Sequence, residues 1–387
     1  MIILYELSQL RTSHAPFTLA FAQVMLEAFP GRRIAIYAHS SHLQEVFNTD
    51  SPVPRERLIQ HPVGKATPTT LGAFSVLQLL CRSYFRYRTA NDGVVPFVVF
   101  LTGEPKHIWV AKLFRRFVPG FRCHLVLHGD INQIQHPFPR NPFRYLASYQ
   151  GSMAHANHRD IRYLVLEPHI QANVVRCIPG IDAYVDTIHH PCSTMQADWQ
   201  IVDTPTPPVR FAILGIAGRS KGLDVFARLA KHVKESAGEA ADFRLVGKLQ
   251  SGWQALDLSG ISGPLPLTED WLPRSVFEAE LRQLHFAILP YNANYYAYAA
   301  SGVLLDALKW RKPIISFRVP PVLELAERFG DIGYICDDEQ HMRETVGVLV
   351  SAFDPDRYQR QRRNLDAAYV SRLPIAIAAE FRNHVRQ

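Results

Sequence analysis

Two stretches of this sequence carry residue types and spacings suited to holding phosphate. The first is Leu214-Gly-Ile-Ala-Gly-Arg-Ser-Lys-Gly222, which follows an apolar run and precedes a helical pattern. Gly218 and its neighbouring glycines let the backbone approach a ligand closely, and the following helix would offer unpaired N–H groups and the positive end of its dipole. Arg219 and Lys221 add two cations at the same spot, as neutralising a diphosphate requires. A turn carrying solvated charges is the bland alternative. Neither Gly-x-x-x-x-Gly-Lys-Ser/Thr nor Gly-x-Gly-x-x-Gly occurs, so the phosphate loop of nucleotide hydrolases and the dinucleotide fingerprint are both excluded here. The second stretch runs from Leu289 to Leu308: a strand ending at Pro290, a polar Tyr-rich loop, then a helix beginning near Ser301-Gly302. Ser301 suits an N-cap, and Gly302 leaves the first turn uncovered, with N–H groups free for phosphate oxygens. Asp306, about one turn further on, could accept from a ribose hydroxyl.

These residues together resemble a known family, the retaining nucleotide-sugar glycosyltransferases of the two-Rossmann-domain GT-B fold (family 4-like). The matching parts are Gly218-Arg219-Ser-Lys221-Gly222, a strand ending in Val246-Gly247, Leu289-Pro290, the helix Gly302–Ala307, and Arg311-Lys312-Pro313-Ile314. The likeness covers roughly residues 209–337; the first half matches in architecture alone. It implies that Arg219 and Lys221 hold the donor diphosphate and that the 301–306 turn holds phosphate and ribose. Asp306 stands for the family's ribose-binding glutamate. Tyr298, eight positions earlier, stands for the glutamate beside the transferred sugar. The resemblance implies no bound metal and no cofactor, since basic residues and a helix dipole neutralise the leaving group in such enzymes.

In the first half, two predicted strands end in polar residues: Cys123–His128 runs into Gly129-Asp130, and Val94–Leu101 into Thr102-Gly103-Glu104. A carboxylate or imidazole at a strand's carboxyl end faces the ligand crevice, so Asp130 or Glu104 could serve as general base to an acceptor hydroxyl. Helix capping is the plain alternative for each. His128 resembles a strand-end histidine that the family places near the donor sugar. The Ser13-His14 turn matches, by position, the loop that touches donor or acceptor. Histidine pairs occur (His39/His42, His155/His158, His189-His190, His124/His128), but none has a complete metal-ligand set. No Gly-x-Ser-x-Gly elbow supports hydrolase chemistry.

The elements that would position these groups alternate between strand and helix. Apolar, β-branched runs without polar alternation, such as Val94–Leu101 and Val209–Leu214, predict parallel strands covered on both faces. Pro105–Phe117 reads as a helix with proline in its first turn, and Leu223–Lys234 as another. Val202-Asp-Thr-Pro-Thr-Pro-Pro208, with three prolines in four residues, predicts a stiff linker. The expected organisation is an α/β protein with two Rossmann-like doubly wound domains facing across a cleft. An acceptor-binding domain would span 1–200, a linker 201–208, a nucleotide-sugar domain 209–370, and a C-terminal helix 371–387.

The 387-residue length agrees with two domains, and 47% hydrophobic with 20% charged residues with a globular chain. Five scattered cysteines without a Cys-x-x-Cys pair predict reduced, mostly buried thiols. No leader-like start and no bilayer-length apolar run occur, which predicts a cytoplasmic protein. The net charge of +7 resides wholly in residues 1–195, where 19 Lys and Arg oppose 12 Asp and Glu. Basic residues there alternate with aromatics in Arg82–Arg88, Lys112–Phe117 and Phe138–Tyr145, a pattern suited to an anionic membrane surface. Nucleic acid is not expected as a partner, because no nucleic-acid motif appears. The expected function is metal-independent transfer of a sugar from a nucleotide-diphosphate sugar to a glycan or lipid-linked acceptor, in cell-surface polysaccharide or glycoconjugate synthesis. The alternatives are a nucleotide-sugar 2-epimerase of the same fold and a non-catalytic GT-B-like binding module.

Overall fold

A computed structural model describes the chain except residues 12–13, 49–50, 65–71, 91–92, 136–140, 195–204, 254, 264–268, 271 and 386–387. The linker stretch 201–204 and Ser13 thus lie outside the described residues. The chain divides into two units: Met1–Thr194 with Tyr298–Ala300 and Arg372–Gln387, and Met195–Ala297 with Ser301–Ser371.

In the first unit β1 (Ile2–Glu6), α1 (Ala15–Ala28), β2 (Ile34–Ala38), α2 (Ser40–Val46), β3 (Leu58–Pro62) and α3 (Ala73–Thr89) are followed by β4 (Phe97–Phe100) and α4 (Pro105–Phe117). Then come β5 (Arg122–Val126), α5 (Pro142–Leu146), α6 (Tyr149–Ala154), β6 (Ile161–Val165), α7 (Pro168–Cys177) and β7 (Val185–Thr187). The strands form one parallel sheet in the order β3-β2-β1-β4-β5-β6-β7. β1, Ile-Ile-Leu-Tyr-Glu, is buried at every position because both faces are covered. On one face Phe17 and Phe21 of α1 pack with Ile2, Leu4, Ile36 and Val99. On the other, Tyr5 stacks on Phe100 and its hydroxyl meets Ser83 of α3. β4 starts three residues later than the apolar run predicts. Pro96 carries no N–H for the ladder, and Val94 is exposed.

The second unit contains β8 (Val209–Ala217), α8 (Leu223–Ala237), β9 (Ala241–Leu249), α9 (Arg274–Gln283), β10 (Phe286–Leu289), α10 (Ala293–Tyr296) and α11 (Gly302–Lys309). β11 (Ile314–Phe317), α12 (Pro320–Phe329), β12 (Gly333–Cys336), α13 (Glu339–Ser351) and α14 (Pro355–Ser371) follow. Its parallel sheet has the order β12-β11-β10-β8-β9. Phe211 stacks between Phe243 and Phe286 of the flanking strands, with ring centroids 5.1 and 5.5 Å away. α8 covers them with Leu223, Phe226, Ala230 and Val233, spaced three and four apart on one face. The last helix, α15 (Pro374–Val385), belongs to the first unit: Phe381 packs edge-on against Phe21 of α1 and Phe97 of β4.

Candidate functional site

In an open doubly wound sheet, ligands bind at the carboxyl ends of the two strands where the winding reverses. In the second unit that point lies between β8 and β10, and both phosphate-suited stretches leave the sheet there. Residues Arg219–Lys221 form a single helical turn, closed by Gly222 in the left-handed conformation (φ 67°) at the start of α8. A side chain at Gly222 would lie 2.1 Å from the Pro290 carbonyl oxygen, so its absence lets the β8 turn seat on the end of β10. The Asn292 N–H then donates to the Ser220 carbonyl at 3.1 Å, tying the two loops together.

Lys221 lies at the centre of this crevice. Its Nζ donates to the Leu214 carbonyl at 2.9 Å, and a side chain at Gly215 (φ 76°) would fall 2.7 Å from that Nζ and 2.8 Å from Val303. Burial pushes the Lys221 ammonium down to about 8, with the nearby Asp306 carboxylate holding it up in part. Gly247 pairs with Gly215 across β9 and β8, and any side chain there would overlap the Gly215 carbonyl. Arg219 is exposed, and its guanidinium has no hydrogen bond or ion pair among the described residues.

Ser301 caps α11, its Oγ accepting from the Leu304 N–H at 3.1 Å while lying 2.7 Å from the Tyr291 hydroxyl. The first N–H groups of α11, at Gly302 and Val303, have no partner among the described residues, and nothing lies within 4 Å of a side chain placed on Gly302. The crevice therefore presents two cations, free amides and one carboxylate, the set that grips a diphosphate and an adjoining hydroxyl-bearing group. Gly218, Arg219, Lys221, Gly247, Ser301, Gly302 and Asp306 all belong to it. Tyr298 groups with the first unit and is buried, with its hydroxyl 3.2 Å from the Cys177 thiol. Burial holds its phenol up at about 12. Lys312 is structural, buried and donating to the Arg282 and Leu284 carbonyls at 3.1 and 2.5 Å.

In the first unit the winding reverses between β1 and β4. Glu104 caps α4 there and bonds Ser8, and Lys106 pairs with it at 2.7 Å. Burial would raise its carboxyl, but the hydrogen bonds from Lys106 and Ser8 outweigh that and hold it below the usual range. Sequence reasoning missed Glu6, although it ends β1 just as the other candidates end theirs. It is fully buried, accepts from the Thr102 hydroxyl at 3.0 Å, and is pushed by burial up to about 8. Its folded value exceeds the usual one of 4.5. Stability is therefore highest below the lower value and falls as pH rises toward 8, by about 1.4 kcal/mol for each pH unit between them. Glu6→Gln is expected to raise the melting temperature at pH 8 and to remove that slope, read by calorimetry from pH 5 to 8.

His128, just beyond β5, stacks on His14 at 4.2 Å and lies edge-on to Phe17 at 4.5 Å. The Nδ1 atoms of both histidines are buried without a partner. Burial holds His14 neutral, near 4, and drives His128 well below its ordinary value, as it does His190, near 3, on the same cluster. Asp130 opens a short 3₁₀ helix, Asp130–Gln135, after β5.

No protein-family model and no curated protein matches the sequence. Solved structures do match in fold. Sucrose-phosphate synthase from Thermosynechococcus elongatus aligns over 100% of this chain and 98% of its own, at 14% identity and a TM-score of 0.62. WaaG, a glycosyltransferase involved in lipopolysaccharide biosynthesis, aligns over 99% of both chains at 12% identity and 0.64. HepE from Anabaena, in complex with UDP and glucose, aligns over 100% of this chain and 99% of its own at 13% identity and 0.63. The fold is that of the GT-B glycosyltransferases, with two Rossmann-like units.

Proposed function

We propose that this chain is a glycosyltransferase that takes a sugar from a nucleotide-diphosphate sugar and passes it to a glycan or lipid-linked acceptor, in the synthesis of a cell-surface polysaccharide or glycoconjugate. The observation that carries the reading is the convergence of Lys221, unpaired Arg219 and the open amides of α11 at the reversal point between β8 and β10. Those groups are aimed at charge that develops as the diphosphate leaves, which is where electrostatic stabilisation is most effective. They supply cationic neutralisation from the chain itself, without a metal ion. Asp306, beside Lys221, takes a ribose hydroxyl. The structural likeness to HepE bound to UDP and glucose, and to WaaG, supports a uridine-type donor and a glycoconjugate product.

The first unit supplies the acceptor side. His128 and His14 are neutral imidazoles able to accept a hydrogen bond from a hydroxyl, whereas Glu104 is engaged by its cap and by Lys106. Asp130, two residues further along the sequence, is the candidate general base to an acceptor hydroxyl. A thermal-shift screen tests the reading, because a ligand bound only by the folded state raises the midpoint by about 2.7 kcal/mol at a hundred times its dissociation constant. Nucleoside diphosphates and their sugars should raise it strongly, and nucleosides weakly. A flat response across a panel of nucleotides would refute the assignment. An epimerised nucleotide sugar formed with no acceptor present would replace transfer with 2-epimerisation.

A further inference from the structure

We propose that the outer surface of α3, α4 and α5 is a docking face for an anionic lipid bilayer. α3 and α4 cover one face of the first unit's sheet, joined by Tyr84 and Phe85 against Phe114 at 5.3 and 6.2 Å. α5 is fastened to α4 by the Trp109 indole N–H, which donates to the Leu146 carbonyl at 2.6 Å. The buried sides of these helices account for Tyr84, Phe114 and Lys112, whose ammonium donates to the Ser152 and His155 carbonyls. They do not account for what points outward. Phe74, Phe117 and Phe143 are 71%, 73% and 81% exposed, and Phe85, Leu113 and Leu146 between 42% and 46%.

Charge supplies the second observation. The three helices contain eight Lys and Arg and not one Asp or Glu. Arg115 is taken by Asp160, and Lys112 is buried. Arg82, Arg86, Arg116 and Arg144 are exposed among the outward aromatics. Large apolar side chains beside cations, on helices too short and too polar to span, match a surface lying in the headgroup layer: rings enter the acyl boundary while guanidinium groups meet anionic headgroups. Among the described residues no helix is long and apolar enough to cross a membrane.

The test is flotation of the full chain with vesicles of phosphatidylcholine alone or mixed with phosphatidylglycerol. The anionic vesicles should bind it at least about tenfold more tightly, and added salt should weaken that binding. Two variants should each abolish flotation: Phe74→Ala with Phe117→Ala and Phe143→Ala, and Arg82→Glu with Arg86→Glu, Arg116→Glu and Arg144→Glu. Their melting temperatures and nucleotide responses should stay near wild type, because the replaced groups are exposed and lie outside the second unit. Absence of flotation, equal binding to neutral vesicles, or flotation unchanged in both variants would overturn the proposal. So would a dimer that forms through this face without lipid, or RNA binding lost only in the arginine variant. None of these readouts depends on sugar transfer, so the docking face and the proposed activity stand or fall separately.

Discussion

Lys221→Met is expected to weaken nucleoside-diphosphate binding by roughly a hundredfold or more, while nucleoside binding changes by less than about threefold. Truncating one partner of a desolvated charge pair costs about 2–5 kcal/mol, which is the basis of that figure. Methionine keeps most of the stem that fills the space against Gly215 and Val303. It loses the hydrogen bond to the Leu214 carbonyl but also relieves the burial of an ammonium. A lysine whose folded value is depressed opposes folding at every pH below about 8, and that penalty fades as pH rises toward the value of the unfolded chain. The melting temperature at pH 7 should therefore hold or rise, which separates lost ligand charge from general damage.

The same depression sets a pH dependence. Only the ammonium form neutralises diphosphate, so affinity should be full below about pH 8 and decline above it, until the bound-state value is passed. Arg219→Ala should lower diphosphate affinity less, because Arg219 is exposed and an exposed charge is screened. Calorimetric titration with the diphosphate and the nucleoside, at pH 7 and pH 9, reads all of these effects. Equal loss of both ligands in Lys221→Met would place Lys221 outside the diphosphate site.

How much of this was legible in the sequence follows from how local each signal is. The turn at Gly218–Gly222 and the cap at Ser301 are written in adjacent residues, and both form where they were expected. Strands β10, β11 and β12 are bounded by Pro290, Pro313 and Gly333, so their limits were legible as well. Half-buried β3, whose Leu58-Ile-Gln-His-Pro62 has only two apolar positions before its proline, left no strong period to read. Of the partners of Glu104, the cap and Lys106 are local in sequence, but Ser8 lies 96 positions away and was not legible. Glu6 looked like the polar end of an apolar strand; only the sheet order puts it beside Thr102 and turns it into a buried carboxyl. Tyr298 shows the same limit from the other side. Its offset from Asp306 carries the reading of a donor role, while its grouping with the first unit and its contact with Cys177, 121 positions away, were not legible.

Two glycines four residues or fewer from the cations and amides of the crevice should respond to alanine in opposite ways. Gly222→Ala adds a methyl group 2.1 Å from a backbone carbonyl, at a residue held in the left-handed conformation. The conformation alone costs about 1–2 kcal/mol. The clash forces the β8 turn away from Pro290, so a total of about 3 kcal/mol or more is expected. In a unit of this size that lowers the melting midpoint by about 6–12 °C. Gly302→Ala meets nothing within 4 Å, and alanine favours a helix over glycine by about 1 kcal/mol, so stability should hold or improve. Its methyl nonetheless stands beside the open N–H groups of Gly302 and Val303, where phosphate oxygens would approach. Diphosphate affinity should therefore fall by about tenfold, one lost charge-assisted hydrogen bond. A stable Gly302→Ala protein that binds diphosphate as tightly as wild type would show that the start of α11 does not touch the ligand. The cation at Lys221 would then have to hold the leaving group without it.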